Sequence, residues 1–238
     1  MHNLEKLMEK FSKIHLGCGS KTPSNWLNVD GSWNAWLSQH ATIRQIINLL
    51  KIVPKCQIEI NWAQNIYIYD IRKPLPFETN SFVSVYASHL LEHIYLTEAK
   101  SLLKECFRVL KSQGVLRMVV PDLKAIINEY ITGVESIKLP LMDDIKTRAD
   151  ILNRKLYYRY PFPTKGSIFY KIYTALTDFH LHKWSYDADS LIYYINWAGF
   201  QNVKEMGPFE SRIEGIEEVE SLDRIINGMG ICIEGIKP

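Results

Sequence analysis

Two glycines one residue apart, Gly17 and Gly19, follow the short apolar run Ile14-His15-Leu16. Glycine has no side chain and takes positive φ freely, so a ligand can lie directly on such a turn. Eleven residues after Gly19, Asp30 closes a second apolar run, Trp26-Leu27-Asn28-Val29. A carboxylate in that place accepts hydrogen bonds from a ribose hydroxyl pair. Asp70 closes a third run, Ile66-Tyr67-Ile68-Tyr69, where it either orients an adenine amino group or caps the next turn. Ser88-His89 come just after a fourth, Phe82-Val83-Ser84-Val85-Tyr86. A glycine pair alone is also what an ordinary tight turn uses. Four polar or glycine sites, each at the end of an apolar run, carry more than any one of them.

Two histidine groupings bear on metal chemistry. His89-Leu90-Leu91-Glu92-His93 matches the H-x-x-E-H pattern of inverted zinc proteases, with both histidines on one face of an expected helix. A zinc hydrolase through His89, Glu92 and His93 also needs a third ligand, and nothing singles out Glu129 or Glu135 for that place. The segment follows a sheet strand, which explains it without a metal, so no metal ligand is assigned. His180-Leu181-His182 reads as solvent-facing or core groups before it reads as half of a metal site. The aromatic cluster Tyr157–Tyr173 reads as core or as the interface of a homodimer before a ligand box. Interleaved with it, Arg154, Lys155, Arg159, Lys165 and Lys171 read as a solvated helix face, with peripheral membrane contact as the alternative.

The elements that must position these residues alternate. Residues 32–53 have helical spacing through Trp36, Leu37, Ile43, Ile46, Ile47 and Leu50. Thr97 is placed to cap a helix with the apolar face Ala99, Leu102, Leu103, Cys106, Phe107 and Leu110, and Gly114 to stop it. Val115–Val120 is a strand stopped by Pro121-Asp122, and a helix over 123–131 follows. The alternation lapses from Leu123 to Asp178 and resumes with a helix over 188–197 ending at Gly199, then strands over 202–206 and 230–236. The expected fold is α/β: a Rossmann-like, doubly wound, mostly parallel sheet with helices on both faces. It forms a single domain over 1–238, with a helical insertion at about 32–64 and a second, after the fifth strand, at about 123–180. Ligands of such sheets bind at the carboxyl ends of the strands, where strand order reverses.

Composition narrows the partners. The net charge is +2 with 23% charged residues, so no global field points to nucleic acid. Cys18, Cys56, Cys106 and Cys232 lack CxxC spacing, which argues against a zinc ribbon or a disulfide framework and fits a reducing cytoplasm. The first thirteen residues mix charges into a helical pattern rather than a signal peptide, and no apolar run reaches a membrane-span length.

A nicotinamide cofactor requires a third glycine, and that position is Thr22. The spacing from Gly19 to Asp30 is also shorter than the ~20 residues of the dinucleotide motif. S-adenosyl-L-methionine carries no pyrophosphate, so it does without the helix start that cradles one. His15-Leu16-Gly17-Cys18-Gly19, Asn28-Val29-Asp30, Asp70-Ile71-Arg72-Lys73-Pro74-Leu75-Pro76-Phe77 and Ser88-His89-Leu90-Leu91-Glu92-His93 resemble the class I S-adenosylmethionine-dependent methyltransferases. Arg108–Lys111, Leu116–Asp122, His182–Asp187, Ala198-Gly199-Phe200 and Glu234–Pro238 continue the resemblance over nearly the whole chain, most weakly over 131–178.

The resemblance implies that Gly17, Cys18 and Gly19 meet the methionine portion of the cofactor and Asp30 its ribose. Asp70 and Ile71 would flank adenine, and Ser88 and His89 would close the pocket. It implies direct in-line methyl transfer to a small-molecule or saccharide acceptor, with S-adenosyl-L-homocysteine as product. A hydroxyl acceptor needs a general base, for which His182 is the candidate and Asp178 the reserve. The alternative is a cofactor-binding relative that has lost catalysis. Three departures stand out: Lys21 replaces a third family glycine, the link from Gly19 to Asp30 is too short for a full helix, and Lys111-Ser112-Gln113-Gly114 replaces a Lys-Pro-Gly-Gly turn.

Overall fold

The computed structural model describes residues 10–49, 63–134, 147–156, 181–227 and 229–238. Its centre is a seven-stranded sheet: β1 (Lys13–Leu16), β2 (Leu27–Asp30), β3 (Ile66–Ile68), β4 (Phe82–Ser88), β5 (Leu110–Pro121), β6 (Gln201–Met206) and β7 (Gly230–Ile236), in the order β3-β2-β1-β4-β5-β7-β6. The pairs from β3 through β5 are parallel, whereas β7 lies antiparallel between β5 and β6. Strand order reverses between β1 and β4, which makes their carboxyl ends the switch point at which such sheets bind ligands.

The strands are short and apolar because both faces are covered. Ile14, Leu16, Val29, Val85 and Leu116 are fully buried, and together with Leu102, Leu103 and Ile195 they belong to one core. The helix α3 (Leu96–Val109) turns Ala99, Leu102, Leu103, Cys106 and Val109 onto the sheet and packs beside α6 (Ala188–Ala198). Burying a leucine of this kind is worth ~1.5–3 kcal/mol.

Four local expectations are corrected. The helix over 32–53 is broken into α1 (Trp33–Ser38) and α2 (Ala41–Leu49), because the α1 end is tied off by Gln39 and His40 donating to Trp36 and Leu37. α3 is capped by Tyr95, not Thr97: Glu98 reaches back to accept from the Tyr95 N–H. It stops at Val109, and the chain enters β5 at once, so Gly114 is a strand residue. The expected 111–114 turn is a kink within that strand, with Gln113 at φ 64.

The link from β1 to β2 holds no helix, in keeping with its length. α4 (Leu123–Thr132) follows β5, with the Asp122 carboxylate accepting from the Lys124 N–H at its start. α5 (Arg148–Lys155) packs against α4. Lys155 is not on a solvated face: its side chain is buried in an ion pair with Glu129. Asp178, His180, Glu135, Cys56, the Tyr157–Tyr173 cluster, Arg159, Lys165 and Lys171 lie outside the described residues. Cys18, Cys106 and Cys232 are buried and free. No helix among the described residues is long and apolar enough to cross a membrane.

Candidate functional site

The carboxyl ends of β3, β2, β1 and β4 bring most of the expected site residues to one edge. Gly17 and Gly19 turn the chain after β1 at φ 62 and φ 57, backbone that costs other residues ~1–2 kcal/mol. A Cβ at Gly17 would stand 2.7 Å from Leu90, so this glycine is also required by packing. At Gly19 the nearest atom to a Cβ is the Arg224 guanidinium tip at 3.3 Å, which leaves the face of that turn more open. Cys18 points inward, fully buried, and burial pushes its thiol up, so it supplies shape rather than a thiolate.

Asp30 is tied to the same turn. One oxygen accepts from the Gly19 N–H at 2.9 Å, the other from the Ser32 N–H at 2.8 Å. Each oxygen keeps a second lone pair for a ribose hydroxyl. Asp70 sits at the neighbouring strand end, where Tyr69 N–H donates to the Asp30 carbonyl. Its carboxylate is held by Arg72 through Nε at 2.8 Å and Nη2 at 2.9 Å, and that hydrogen bonding keeps it below the usual carboxylate range. Ile71 is buried behind it. At the other side of the switch point no group among the described residues makes a well-aligned hydrogen bond to the buried Ser88 hydroxyl. The Ser88 carbonyl accepts from Arg224 Nη1 at 3.3 Å, and the Arg224 carbonyl takes the His89 Nε2 proton at 2.7 Å. Arg224, from the turn before β7, thus faces both Gly19 and Ser88; no spacing in the sequence marks it. The open Gly19 turn, the spare Asp30 lone pairs and the buried Ser88 hydroxyl fit an adenosyl cofactor.

His182 lies on the same edge but farther out. Residues 181–186 are fastened to the turn after β4: Lys183 and Trp184 N–H both donate to the Glu92 carbonyl, and Lys183 Nζ to the His93 carbonyl. The His93 and His182 rings meet edge-on at 5.0 Å. Burial pulls the His182 imidazole down to about 4, so it is neutral near pH 7. His89 and His93 do not share a helix face. Residues Leu91–His93 form a single 3₁₀ turn, and His89 precedes it at φ 52. Both imidazoles nevertheless face Glu92, with His89 Nδ1 at 3.2 Å and His93 Nε2 at 3.9 Å from its Oε1.

This strand order, with an antiparallel strand inserted beside the last parallel one, defines a Rossmann-like α/β sheet. Residues 14–118, from β1 into β5, match the methyltransferase-domain family, and that stretch holds the glycine turn, Asp30, Asp70, Ser88 and His89. That match supports a reading as a class I S-adenosylmethionine-dependent methyltransferase with S-adenosylmethionine as cofactor. It is similar to a SAM-dependent methyltransferase from Thermotoga maritima, at 15% identity over 95% of this chain and 82% of that one, with a TM-score of 0.44. A SAM-dependent methyltransferase from Archaeoglobus fulgidus is 14% identical over 99% of this chain and 92% of its own, with a TM-score of 0.43. The YcgJ protein of Bacillus subtilis is 12% identical over 99% and 98%, with a TM-score of 0.46. No curated protein sequence matches the chain.

Proposed function

We propose that this chain transfers a methyl group from S-adenosylmethionine to a small-molecule or glycan acceptor, held on the side of the site formed by residues 181–186 and α4. The observation that carries the reading is the convergence of Gly19, Asp30 and Ser88 at the switch point. When bound, the cofactor supplies a methyl already activated by the sulfonium, so no covalent enzyme intermediate is needed. Gly17, Cys18 and Gly19 would line its methionine portion, Asp30 its ribose, Asp70 and Ile71 its adenine, and Ser88 and His89 the pocket wall. The protein's contribution is then positioning and exclusion of water around an acceptor in line with that methyl. His182, on the acceptor side, is the candidate base for a hydroxyl acceptor.

Calorimetric titration with S-adenosylhomocysteine tests the cofactor half, and labelled methyl offered to small-molecule and glycan libraries tests the acceptor half. Gly19→Ala is the cleaner probe than a change at Gly17, since only Gly19 opens away from packed apolar side chains. The wild type should be stabilised by the ligand, ~2.7 kcal/mol at a hundredfold excess over Kd, and Gly19→Ala should lose most of that shift. A wild-type chain indifferent to millimolar S-adenosylhomocysteine would overturn the reading.

A further inference from the structure

Glu92 is 1% exposed, yet no donor among the described residues is aligned on either of its carboxylate oxygens. Groups of this kind are rare in folded proteins, and each calls for a water, an ion or a chemical role. What surrounds it is specific. His93 comes from the same turn, and His182 is brought by a segment some ninety residues away that the Lys183 and Trp184 amides fasten to the Glu92 backbone. One ligand-type atom from each of Glu92, His93 and His182 lies within 4.8 Å of the others. A void of about 10 Å³ touches Glu92, His182, Tyr186 and Lys155. That is near the smallest space that holds one water molecule.

We propose that Glu92, His93 and His182 form a binding site for one divalent first-row transition ion. Two imidazoles and a carboxylate are the donor set of open catalytic sites, which leave further positions for water or substrate. His89 completes the arrangement from outside: it bridges the Arg224 carbonyl and the Glu92 carboxylate, the way an outer partner orients a ligating group. His89 meets the Glu92 carboxylate from one side at 3.2 Å, and a bound cation would meet it from the side of His93 and His182.

What the ion does there rests on the methyl-transfer reading: it would act as a Lewis acid on an acceptor hydroxyl, beside the cofactor edge. His182 then serves as a ligand in place of the base role proposed above, because one lone pair cannot hold both a metal and the acceptor's proton, and the proton of the metal-polarised hydroxyl leaves to solvent. Binding of the ion itself does not depend on that reading.

The test uses the full chain, stripped with a chelator, and Co²⁺ as the probe. One equivalent should bind with a visible ligand-field band that Zn²⁺ bleaches. His93→Ala, His182→Ala and Glu92→Gln should each weaken Co²⁺ binding ~10–100-fold or more. His40→Ala, at the end of α1, should leave it unchanged. S-adenosylhomocysteine titrations on the same samples report whether each variant keeps its cofactor site. Co²⁺ binding lost in the three variants with S-adenosylhomocysteine binding kept supports the site. Co²⁺ binding without any binding of S-adenosylhomocysteine to the wild type supports the site and removes the methyltransferase reading. Absence of stoichiometric Co²⁺ binding, or affinity unchanged in His93→Ala and His182→Ala, overturns it.

Discussion

Arg117 and Glu92 are both buried charges close to the central strands, and they are provided for in opposite ways. Arg117, within β5 and fully buried, has a partner for every guanidinium N–H. Nε and Nη2 donate to the two Glu220 oxygens at 2.7 and 2.9 Å, Nη1 to Glu234 at 3.2 Å, and the remaining protons to the Glu210 and Gly207 carbonyls at 2.9 and 3.0 Å. Glu220 also accepts from Phe209 N–H, and Glu234 from Ser211 and Arg212. This network is closed: it fixes the connection between β6 and β7 against the sheet and leaves no guanidinium N–H without an acceptor. The Glu92 cluster is open, with a carboxylate at its centre, three imidazoles around it and no donor aligned on it. A buried charge whose valences are all met is architecture, and one left unmet marks a place for something else.

The largest effect that tests the contrast lies in the closed network. Arg117→Met strands Glu220 and Glu234 in the core, and Glu220→Gln removes the negative charge and turns one of the two oxygens that Arg117 Nε and Nη2 donate to into an NH2 donor. Removing one member of a buried pair costs ~3–5 kcal/mol. At this chain length that is a melting temperature lower by ~10 °C. Urea unfolding that shows less than ~1 kcal/mol for both would mean the network is dispensable and the comparison empty.

The two clusters also differ in how far the sequence exposes them. Gly17, Gly19, Asp30, Asp70 and Ser88 were legible because each lies at or just after the carboxyl end of a strand, where residue type reports backbone and ligand demands rather than packing. The doubly wound sheet was legible for a related reason: short apolar runs separated by helical spacing leave few other arrangements. Half of the Glu92 cluster was visible as H-x-x-E-H. The helix assumed for it was wrong, and the third group, His182, is joined only through backbone amides to the Glu92 carbonyl, which no spacing records. Arg117 went unread although it is the single charged residue in Val115–Val120. A lone arginine in a buried strand demands buried carboxylates, but which ones depends on β7 folding back beside β5.

A smaller effect separates a third solution to burial. His15 is fully buried among Trp26 and Tyr86, with no well-formed hydrogen bond on either nitrogen, and it avoids the cost of charge by staying neutral. Burial first, then the charges of Arg224 and Lys21, pull it down to about 3. The unfolded chain therefore takes up a proton near pH 6.5 that the folded chain refuses until about 3, and stability falls as pH drops through that window. At pH 5 the loss from this group is ~2 kcal/mol. His15→Phe removes it, so between pH 7 and pH 5 the variant should gain ~2 kcal/mol on the wild type in urea unfolding. Parallel pH dependence of the two would show that His15 is protonated in the fold and has a partner.

The smallest expected effect is the most telling. Glu92→Gln makes the same chemical change as Glu220→Gln, in the open cluster instead of the closed one. Without metal, the substitution removes a carboxylate that is costly to bury and gives up its attraction to His89. The His89 imidazole is itself pulled down by burial, and the carboxylate beside it more than restores it, so it sits above its ordinary value. Once Glu92 is neutral, His89 can discharge and keep its hydrogen bond to the Arg224 carbonyl, so no charge is stranded. The two terms offset, and chelator-treated Glu92→Gln should unfold within ~1 kcal/mol of the wild type, against ~3–5 for Glu220→Gln. Adding Zn²⁺ at a hundredfold excess over the wild-type Kd should then separate them, stabilising the wild type by ~2.7 kcal/mol and Glu92→Gln by only ~0.4–1.4 kcal/mol. If Glu92→Gln instead loses ~3 kcal/mol or more with no metal present, the carboxylate is an ion-pair partner of His89 in its own right. Both clusters are then structural, and the space beside Glu92 needs no ion.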